Sequence, residues 1–332
     1  MRLRSVLTLI TVAGLSLPAY ADNAGSYLAA RSAIIANDYS EAADYFARAL
    51  VRDPANPRLL ENATTAFVGL GDADRAVPTA RRLIQTGATS QIAGLVLLGD
   101  AARSGRWDQV LADLEAGQTV GPLFDGLIVA WAEVGAGRMG EALEAFDNVA
   151  SNAGVEAFGL YHKALALASV GDYEGAAAIF SGETGTMLRL TRRGIIAYAQ
   201  ILSQLERPDD ARDLVDQAVG LSSDPTLAAL RASLDAGETL PFDSVRTPAD
   251  GVAEVYFSIA NALTGEAQDS YTLLYSRMAQ AIRPDHVDAL LLSAELLENL
   301  GRYDLATEVY DTVPTEDPAF HAAEQGRAAA LR

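Results

Sequence analysis

A short turn of small or polar residues recurs along the chain with a nearly constant period. Its copies are Asn37-Asp38-Tyr39, Gly71-Asp72, Gly105-Arg106-Trp107, Gly137-Arg138-Met139, Gly171-Asp172-Tyr173 and Gly301-Arg302-Tyr303. The steps from position 37 to 71, from 71 to 105 and from 137 to 171 are each 34 residues, and the step from 105 to 137 is 32. A fixed period of this length is the signature of stacked repeats, in which each unit packs on its neighbours. The sequence therefore predicts an array of similar units.

Residue sizes after each turn indicate what one unit looks like. A small residue follows at Ala42, Ala76, Val110, Ala142, Ala176 and Ala306. Four residues later most units carry a larger apolar residue, namely Phe46, Leu114, Phe146, Phe180 and Tyr310. Three units close with a proline, at Pro54, Pro284 and Pro318. Each unit is predicted to be two antiparallel helices, because the small residue allows close approach, the larger one fills the gap, and proline ends the second helix.

This pattern resembles the tetratricopeptide repeat. The match is clearest at Gly171-Asp172-Tyr173…Ala176…Phe180 and at Gly301-Arg302-Tyr303…Ala306…Tyr310…Pro318. The resemblance implies an all-α fold, a right-handed superhelical solenoid of antiparallel helix pairs whose concave wall is lined by the first helix of each unit. The chain is also similar to long periplasmic tetratricopeptide proteins of Gram-negative bacteria, many of which continue well beyond this length.

The array is interrupted once. Units are predicted at 23–56, 57–90, 91–122, 123–156, 157–190, 192–221, 253–286 and 287–318. We expect residues 22–221 to form an N-terminal array, 222–251 a degenerate repeat with an irregular loop at 238–251, and 252–332 the C-terminal units. The final segment, Ala319 to Leu331, resembles the first helix of a further unit, so it is either a capping helix or, as we favour, the sign of a truncated array.

The N-terminus has the features of a secretory signal peptide. A basic head containing Arg2 and Arg4 precedes an uncharged, mostly apolar stretch at 5–18 and a small-x-small pattern that ends at Ala21. We predict a signal peptide over 1–21, cleaved after Ala21, and a periplasmic location without a membrane span in the mature protein. The formal net charge of −19 argues against a nucleic-acid partner, since phosphates are neutralised by clustered basic residues.

No arrangement of residues in the sequence matches a standard catalytic, cofactor or metal site. The three histidines, His162, His286 and His321, are far apart, and there is no cysteine. Glu295 and Glu298 share a helix face, but solvated acidic faces look the same. We therefore predict no catalytic residue, no cofactor and no metal. A glycan-acting enzyme built on carboxylates alone is the least favoured alternative.

The resemblance also implies which side chains face the concave groove, because such residues occupy the fifth, ninth and twelfth positions of each unit. The candidate partner-binding residues are Tyr27, Arg31, Leu95, Leu127, Trp131, Tyr161, Leu165, Phe257 and Asn261. We predict that the groove around Trp131 and Tyr161 binds an apolar peptide or helix of a partner protein. Packing of both residues inside the superhelix is the competing interpretation. A carrier or regulator that binds a small ligand near 238–251 is the alternative function.

Overall fold

The computed structural model describes residues 19–183, 185–186, 188–219 and 224–331. Over these residues the chain forms helices and no strands. In chain order the helices are α1 (Ala19–Ile35), α2 (Tyr39–Arg52), α3 (Pro57–Leu70), α4 (Ala73–Gln85), α5 (Gln91–Arg103), α6 (Trp107–Glu115), α7 (Pro122–Gly135), α8 (Met139–Ala150), α9 (Glu156–Ser169), α10 (Tyr173–Phe180), α11 (Arg192–Gln204), α12 (Pro208–Val219), α13 (Pro225–Asp235), α14 (Pro248–Leu263), α15 (Asp269–Ile282), α16 (Val287–Asn299), α17 (Tyr303–Tyr310) and α18 (Phe320–Ala330).

Consecutive helices form the predicted repeat units. The pairs are α1–α2, α3–α4, α5–α6, α7–α8, α9–α10, α11–α12, α14–α15 and α16–α17. Helix α13 is followed by the loop that precedes α14, and α18 is the last helix that the structure describes. The all-α helical-repeat fold is confirmed. None of the helices in the described part of the chain is long and apolar enough to cross a membrane. The basic and apolar segment at 1–18, which holds most of the predicted signal peptide, lies outside the described residues.

The turns inside the units share one backbone conformation. Left-handed backbone angles occur at Gly71, Gly105, Gly137, Gly171 and Gly301. Asn37 and Glu206 occupy the same place in the first and sixth units, with φ angles of 55° and 57°. Residues other than glycine rarely adopt this left-handed backbone conformation, and asparagine adopts it more readily than glutamate does. The sixth unit therefore keeps the repeat geometry although its sequence has lost the glycine.

The helix pairs stack so that their first helices form one continuous surface. We call the surface formed by α3, α5, α7, α9 and α11 the inner wall. Helices α14 and α15 do not simply continue the stack, because α14 packs against α5, α7 and α9, and α15 packs against α3 and α5. The C-terminal units thus fold back into the concave side of the N-terminal units. The main apolar core extends from Ala30 to Ala323, and a smaller second cluster lies among α11, α12 and α13.

Close backbone approaches fix this arrangement. The backbone of Gly251 in α14 packs directly against the Trp131 ring. A Cβ atom at this position would be 2.3 Å from a ring carbon, so only glycine fits. The Tyr256 hydroxyl donates a hydrogen bond of 2.5 Å to the Leu95 carbonyl of α5. From α15, Arg277 Nε donates to the Gly69 carbonyl of α3 at 3.3 Å. The inner wall is therefore filled over α3, α5 and α7.

The two ends of the array also approach each other. Arg302, in the turn between α16 and α17, lies 3.2 Å from the carboxylate of Asp38, in the turn between α1 and α2. The first repeat unit and the last complete one are therefore joined by an ion pair in addition to the contacts through α15.

The interruption between α13 and α14 is shorter than predicted. Residues 248–251 belong to the first turn of α14, because Thr247 caps that helix and Pro248 occupies its first position, where no N–H is needed. The preceding loop packs on α11: Gln200 Oε1 accepts a hydrogen bond from the Ser244 hydroxyl at 2.8 Å, and Leu240 N donates to Ser203 Oγ at 2.9 Å. Whether the three predicted segments of the chain are independent domains stays a prediction.

Candidate partner-binding cleft

Four of the predicted groove residues have side chains inside the protein. Leu95, Leu127, Trp131 and Leu165 are between 0 and 2% exposed. Our expectation that they line an open groove is wrong for this structure, because α14 and α15 occupy the space in front of them. The competing interpretation of Trp131 as a core residue agrees with its burial.

Trp131 belongs to a buried polar chain that connects three helices. Its Nε1 donates to Nδ1 of His162 at 3.1 Å, and Nε2 of His162 lies 3.1 Å from the hydroxyl oxygen of Ser258 in α14. Nδ1 must accept in this arrangement, so Nε2 carries the proton and donates it to Ser258. Burial lowers the pKa of His162 to about 4, and the imidazole is therefore neutral at pH 7. The chain holds α7, α9 and α14 together.

Two predicted residues lie on the first helix, at one end of the stack. Arg31 is exposed, and Tyr27 is partly buried against the core. Neither lines the cleft described next. Their part in binding a partner stays a prediction.

The remaining three candidates meet in one cleft. Tyr161, Phe257 and Asn261 line a cavity of about 420 Å³ between α9, the segment at 188–191, the start of α11, α14 and α16. Its apolar walls are formed by Ala157, Phe158, Leu188, Leu190, Leu291 and Leu292. Asn261 and Glu295 are exposed at its rim. We call this cavity the α9–α14 cleft. It is the part of the inner wall that the C-terminal units leave open.

A buried ion cluster forms the floor of the α9–α14 cleft. Glu254 is 1% exposed and accepts from Nε of Arg193 at 2.9 and 2.8 Å and from the Tyr161 hydroxyl at 2.9 Å. Nε2 of His286 lies 3.1 Å from the other Glu254 oxygen, and Arg193 also donates to Asp288 at 2.8 Å. The polar groups of the floor are thus largely occupied by one another.

The protonation states of the cluster follow from these contacts. Burial alone would raise the pKa of Glu254, but the Arg193 guanidinium and the hydrogen bond from His286 hold it well below its usual range. Burial and the nearby Arg193 charge lower the pKa of His286, while Glu254 acts in the opposite direction. At neutral pH the cluster therefore contains an ionised Glu254 and a neutral His286.

Three helix starts bring the charged residues of the cluster together. Arg192 and Arg193 are the first residues of α11, Asp224 is the N-cap of α13, and Asp288 lies in the first turn of α16. Arg192 donates to both Asp224 and Asp288. Cations are unfavourable at a helix N-terminus, so two arginines there need carboxylates nearby. Adjacent arginines at the start of a helix are the sequence signal for this cluster, which the motif patterns of the sequence did not predict.

A second cleft lies on the other side of the cluster. It has a volume of about 560 Å³, and its lining includes Gln200, Leu240, Ser244, Arg283 and His286. The loop before α14 therefore does border a cavity, as the alternative of a small-ligand site requires. Within the described residues, no group of three or more His, Asp or Glu side chains could hold a metal ion.

Stacked helix pairs with a cleft between their first helices define a helical-repeat protein of the kind that acts as an interaction scaffold. The family model of the tetratricopeptide repeat matches residues 27–91 and 264–319. Over these two segments the chain is similar to tetratricopeptide-repeat proteins. Such proteins are protein-interaction scaffolds in general and are typically not enzymes.

Several solved tetratricopeptide structures are similar to the chain at low sequence identity. They include the tetratricopeptide domain of P58(IPK), with 14% identity over 94% of this chain and 98% of that chain and a TM-score of 0.27. A tetratricopeptide repeat protein from Parabacteroides merdae ATCC 43184 is 11% identical over 94% of this chain and 100% of that chain, with a TM-score of 0.30. Yeast Tom70 is 15% identical over 95% of this chain and 82% of that chain, with a TM-score of 0.26. No curated protein sequence matches the chain.

Proposed function

We propose that the protein is a periplasmic interaction scaffold that holds an apolar segment of a partner protein in the α9–α14 cleft. The observation that carries this proposal is the convergence of Tyr161, Phe257 and Asn261 on one open cavity with apolar walls. Exposed apolar concavities with a polar rim mark binding sites. The partner is a protein and not a nucleic acid, because the chain has a formal net charge of −19.

The chemistry of the α9–α14 cleft favours an apolar anchor on an extended peptide. Phe158, Leu190 and Leu291 offer contact to a leucine or aromatic side chain. Arg193 and Glu254 are already paired with each other, so the floor of the cleft does not favour a charged group on the ligand. Asn261 at the rim can both donate and accept, which suits the alternating N–H and C=O groups of a peptide backbone.

The proposed location follows from the N-terminal pattern that ends at Ala21. A signal peptide directs export, and its removal leaves Asp22 as the first residue. Mass measurement of the protein recovered from a periplasmic extract tests this proposal. Recovery of the full-length chain from the cytoplasm would refute it.

Crosslinking from within the α9–α14 cleft tests the function. A photo-reactive residue at Asn261 should capture one discrete protein in cells, whereas the same residue at the exposed Val170 should not. Ala157→Trp places a large ring in the cleft from an exposed lining position and should abolish capture. Ala322→Trp, at an exposed position of α18, is the matched control and should leave capture intact. Capture that survives Ala157→Trp would place the partner elsewhere.

The cavity bordered by Leu240 and Ser244 supports a second candidate, a carrier or regulator of a small ligand. A compact ligand that binds there should raise the melting temperature in a screen. No change in melting temperature with any compound would remove this candidate.

We propose no catalytic role. Glycan hydrolysis needs a carboxylic acid whose pKa is raised. The Arg193 guanidinium instead holds the pKa of Glu254, the buried carboxylate at the floor of the α9–α14 cleft, well below its usual range. Assays on cell-wall glycans should therefore show no turnover, and any turnover would contradict this proposal.

A further inference from the structure

A second groove lies on the outer face of the first two repeat units, between the parallel helices α2 and α4. Its volume is about 520 Å³, with Phe67 of α3 at the bottom, Ala47 and Leu50 of α2 along one side, and Arg75, Pro78 and Arg82 of α4 along the other. A smaller depression of about 500 Å³ continues it past the turn between α2 and α3, and shares Arg82 and Gln85 with it. We call the two together the α2–α4 groove. No part of α14 or α15 fills it, because those helices pack on the inner wall.

One side of the α2–α4 groove is apolar. Ala47, Leu50 and Pro54 line it, and the exposed Val51 lies beside them. The four residues stand at positions i, i+3, i+4 and i+7 of α2 and its C-terminal end, so they share one helix face. Val51 is 82% exposed, the highest value for a large apolar side chain among the described residues. A stripe of this kind on a helix surface is the pattern that packs against another helix.

The other side of the α2–α4 groove is basic. Arg75, Pro78, Thr79 and Arg82 share one face of α4 by the same spacing. Arg75 pairs with Asp72 at 2.6 Å and lies 4.7 Å from the centre of the Phe67 ring. Arg82 has no carboxylate within salt-bridge distance among the residues that the structure describes. The Pro78 ring adds apolar surface between the two arginines.

Arg81 adds a further cation beside this face. Its side chain is 59% exposed and lies 3.9 Å from its nearest carboxylate, Asp100. Asp74 is the carboxylate that lines the groove, and it lies at the end where α4 begins. The cations towards the C-terminal half of α4 are therefore weakly paired or unpaired.

This local charge is unusual for the chain. Residues 22–90 carry seven arginines and eight carboxylates, whereas the whole chain carries 25 basic and 44 acidic residues. The first two units are thus close to neutral in a strongly acidic protein. Arginines beside an exposed apolar stripe fit a partner surface that is both apolar and acidic.

We propose that the α2–α4 groove binds an acidic amphipathic helix of a partner protein. The apolar face of that helix packs on Leu50, Val51 and the Phe67 floor, and its carboxylates face Arg81 and Arg82. This is a helix-in-groove mode of recognition. It is separate from the α9–α14 cleft in position and in chemistry, so a partner can occupy one site while the other is empty.

A membrane surface is less suited to the same groove. Its apolar floor is recessed beneath arginine side chains, and the net charge of −19 repels anionic lipid. A helix enters such a recess more readily than a flat bilayer surface does.

Fluorescence titration tests the proposal on the full chain. Because the sequence contains no cysteine, Gln85→Cys gives one labelling site for an environment-sensitive dye at the edge of the α2–α4 groove. The probes are two synthetic helical peptides of about 18 residues with the same leucine face. One carries glutamates on its polar face and the other carries lysines. The glutamate peptide should bind, and the lysine peptide should not.

Charge reversal then locates the contact. R81E/R82E should weaken binding of the glutamate peptide about tenfold, and Val51→Asp should weaken it further while the circular dichroism spectrum stays unchanged. R207E/R212E, which makes the same charge change near α12, should leave binding as it is. Equal binding of both peptides, no binding of either, or equal loss in the control variant would overturn the proposal. Preferential binding to phosphatidylglycerol vesicles over both peptides would overturn it in favour of a membrane surface.

Discussion

Two stretches of the inner wall are built from the same repeat unit, but one is covered by other helices of the chain and the other is open. At α5 and α7 the predicted groove residues Leu95, Leu127 and Trp131 are buried beneath α14 and α15. In the α9–α14 cleft, Tyr161 and the α14 residue Asn261 line a cavity that remains open. The periodicity correctly predicts the helix pairs of both stretches. What separates the two stretches is whether a later part of the same chain has already taken the place of a partner.

The comparison teaches that a concave wall is a binding surface only where nothing intramolecular fills it. Where α14 covers the wall, Gly251 lies so close to the Trp131 ring that a Cβ atom there would be 2.3 Å from a ring carbon. Where the wall is open, the polar groups of Glu254 and Arg193 are paired with each other beneath the cleft. The following predictions test this difference, in order of decreasing effect.

Trp131→Ala should show the largest effect, because it removes a fully buried ring from the covered stretch. We expect the free energy of unfolding to fall by about 4 kcal/mol, the usual cost of such a cavity. Urea denaturation measures it. A loss below about 1 kcal/mol would show that α14 does not cover this stretch, and would return Trp131 to the list of partner-binding residues.

Acid should loosen the covered stretch through His162. Its pKa is about 4 in the folded protein and about 6.5 in the unfolded chain, so between these values only the unfolded state binds the proton. Lowering the pH from 7 to 5 should therefore reduce the free energy of unfolding by about 2 kcal/mol through this residue. His286 acts in the same direction because its pKa is also lowered.

A histidine variant assigns the pH effect. The free energy of unfolding should fall less steeply between pH 7 and 5 in His162→Gln than in the wild type, because the contribution of His162 is removed. Urea denaturation at several pH values measures this slope. A slope in this variant equal to that of the wild type would mean that His162 is not buried against Ser258.

Two glycine-to-alanine substitutions should have opposite signs. Gly251→Ala puts a methyl group 2.3 Å from the Trp131 ring, and we expect a loss of roughly 1–2 kcal/mol. Gly140→Ala, in α8, meets no atom within 4 Å and should stabilise the helix by about 0.5 kcal/mol. Thermal or urea unfolding of the two variants distinguishes them. Stabilisation by both would contradict the close contact of α14 with α7.

The smallest effect on stability is expected in the open stretch. Asn261→Ala changes an exposed side chain, so the free energy of unfolding should stay within about 0.5 kcal/mol of the wild type. Affinity for the captured partner should nevertheless fall several-fold, as the loss of one hydrogen bond worth about 1 kcal/mol implies. Unchanged affinity, measured by titration with the purified partner, would separate Asn261 from the binding site.

The helix pairs were predictable because their signals are local. A left-handed residue, a small residue and a larger apolar residue within about ten positions are enough to specify a turn and a second helix. In the sixth unit this local signal is missing, because Glu206 adopts the left-handed conformation at the position where the other units have glycine or asparagine. There the helices on either side, packed through Ala211 and Leu202, impose the turn.

The filling of the inner wall was not predictable from the repeat. It depends on contacts such as that between Tyr256 and Leu95, which are 161 residues apart. A partial signal exists in Gly99 and Gly251, which are glycines inside helices where no turn requires one. Both mark places where a side chain of another helix approaches the backbone, Tyr256 and Met278 at Gly99 and Trp131 at Gly251. The sequence could have shown that something packs there, although not which helix it is.

The ion pair between Asp38 and Arg302 changes how the molecule should respond to force. An open solenoid extends like a spring, because each repeat touches only its neighbours and the strain is shared along the stack. Here an ion pair of 3.2 Å between Arg302 Nη1 and Asp38 Oδ2 joins the first and last complete units, and the hydrogen bond from Arg277 to the Gly69 carbonyl joins α15 to α3. Tension applied to the two ends must first break these contacts. The protein should therefore resist extension up to a threshold force and then open in one step, and it should not lengthen gradually with force.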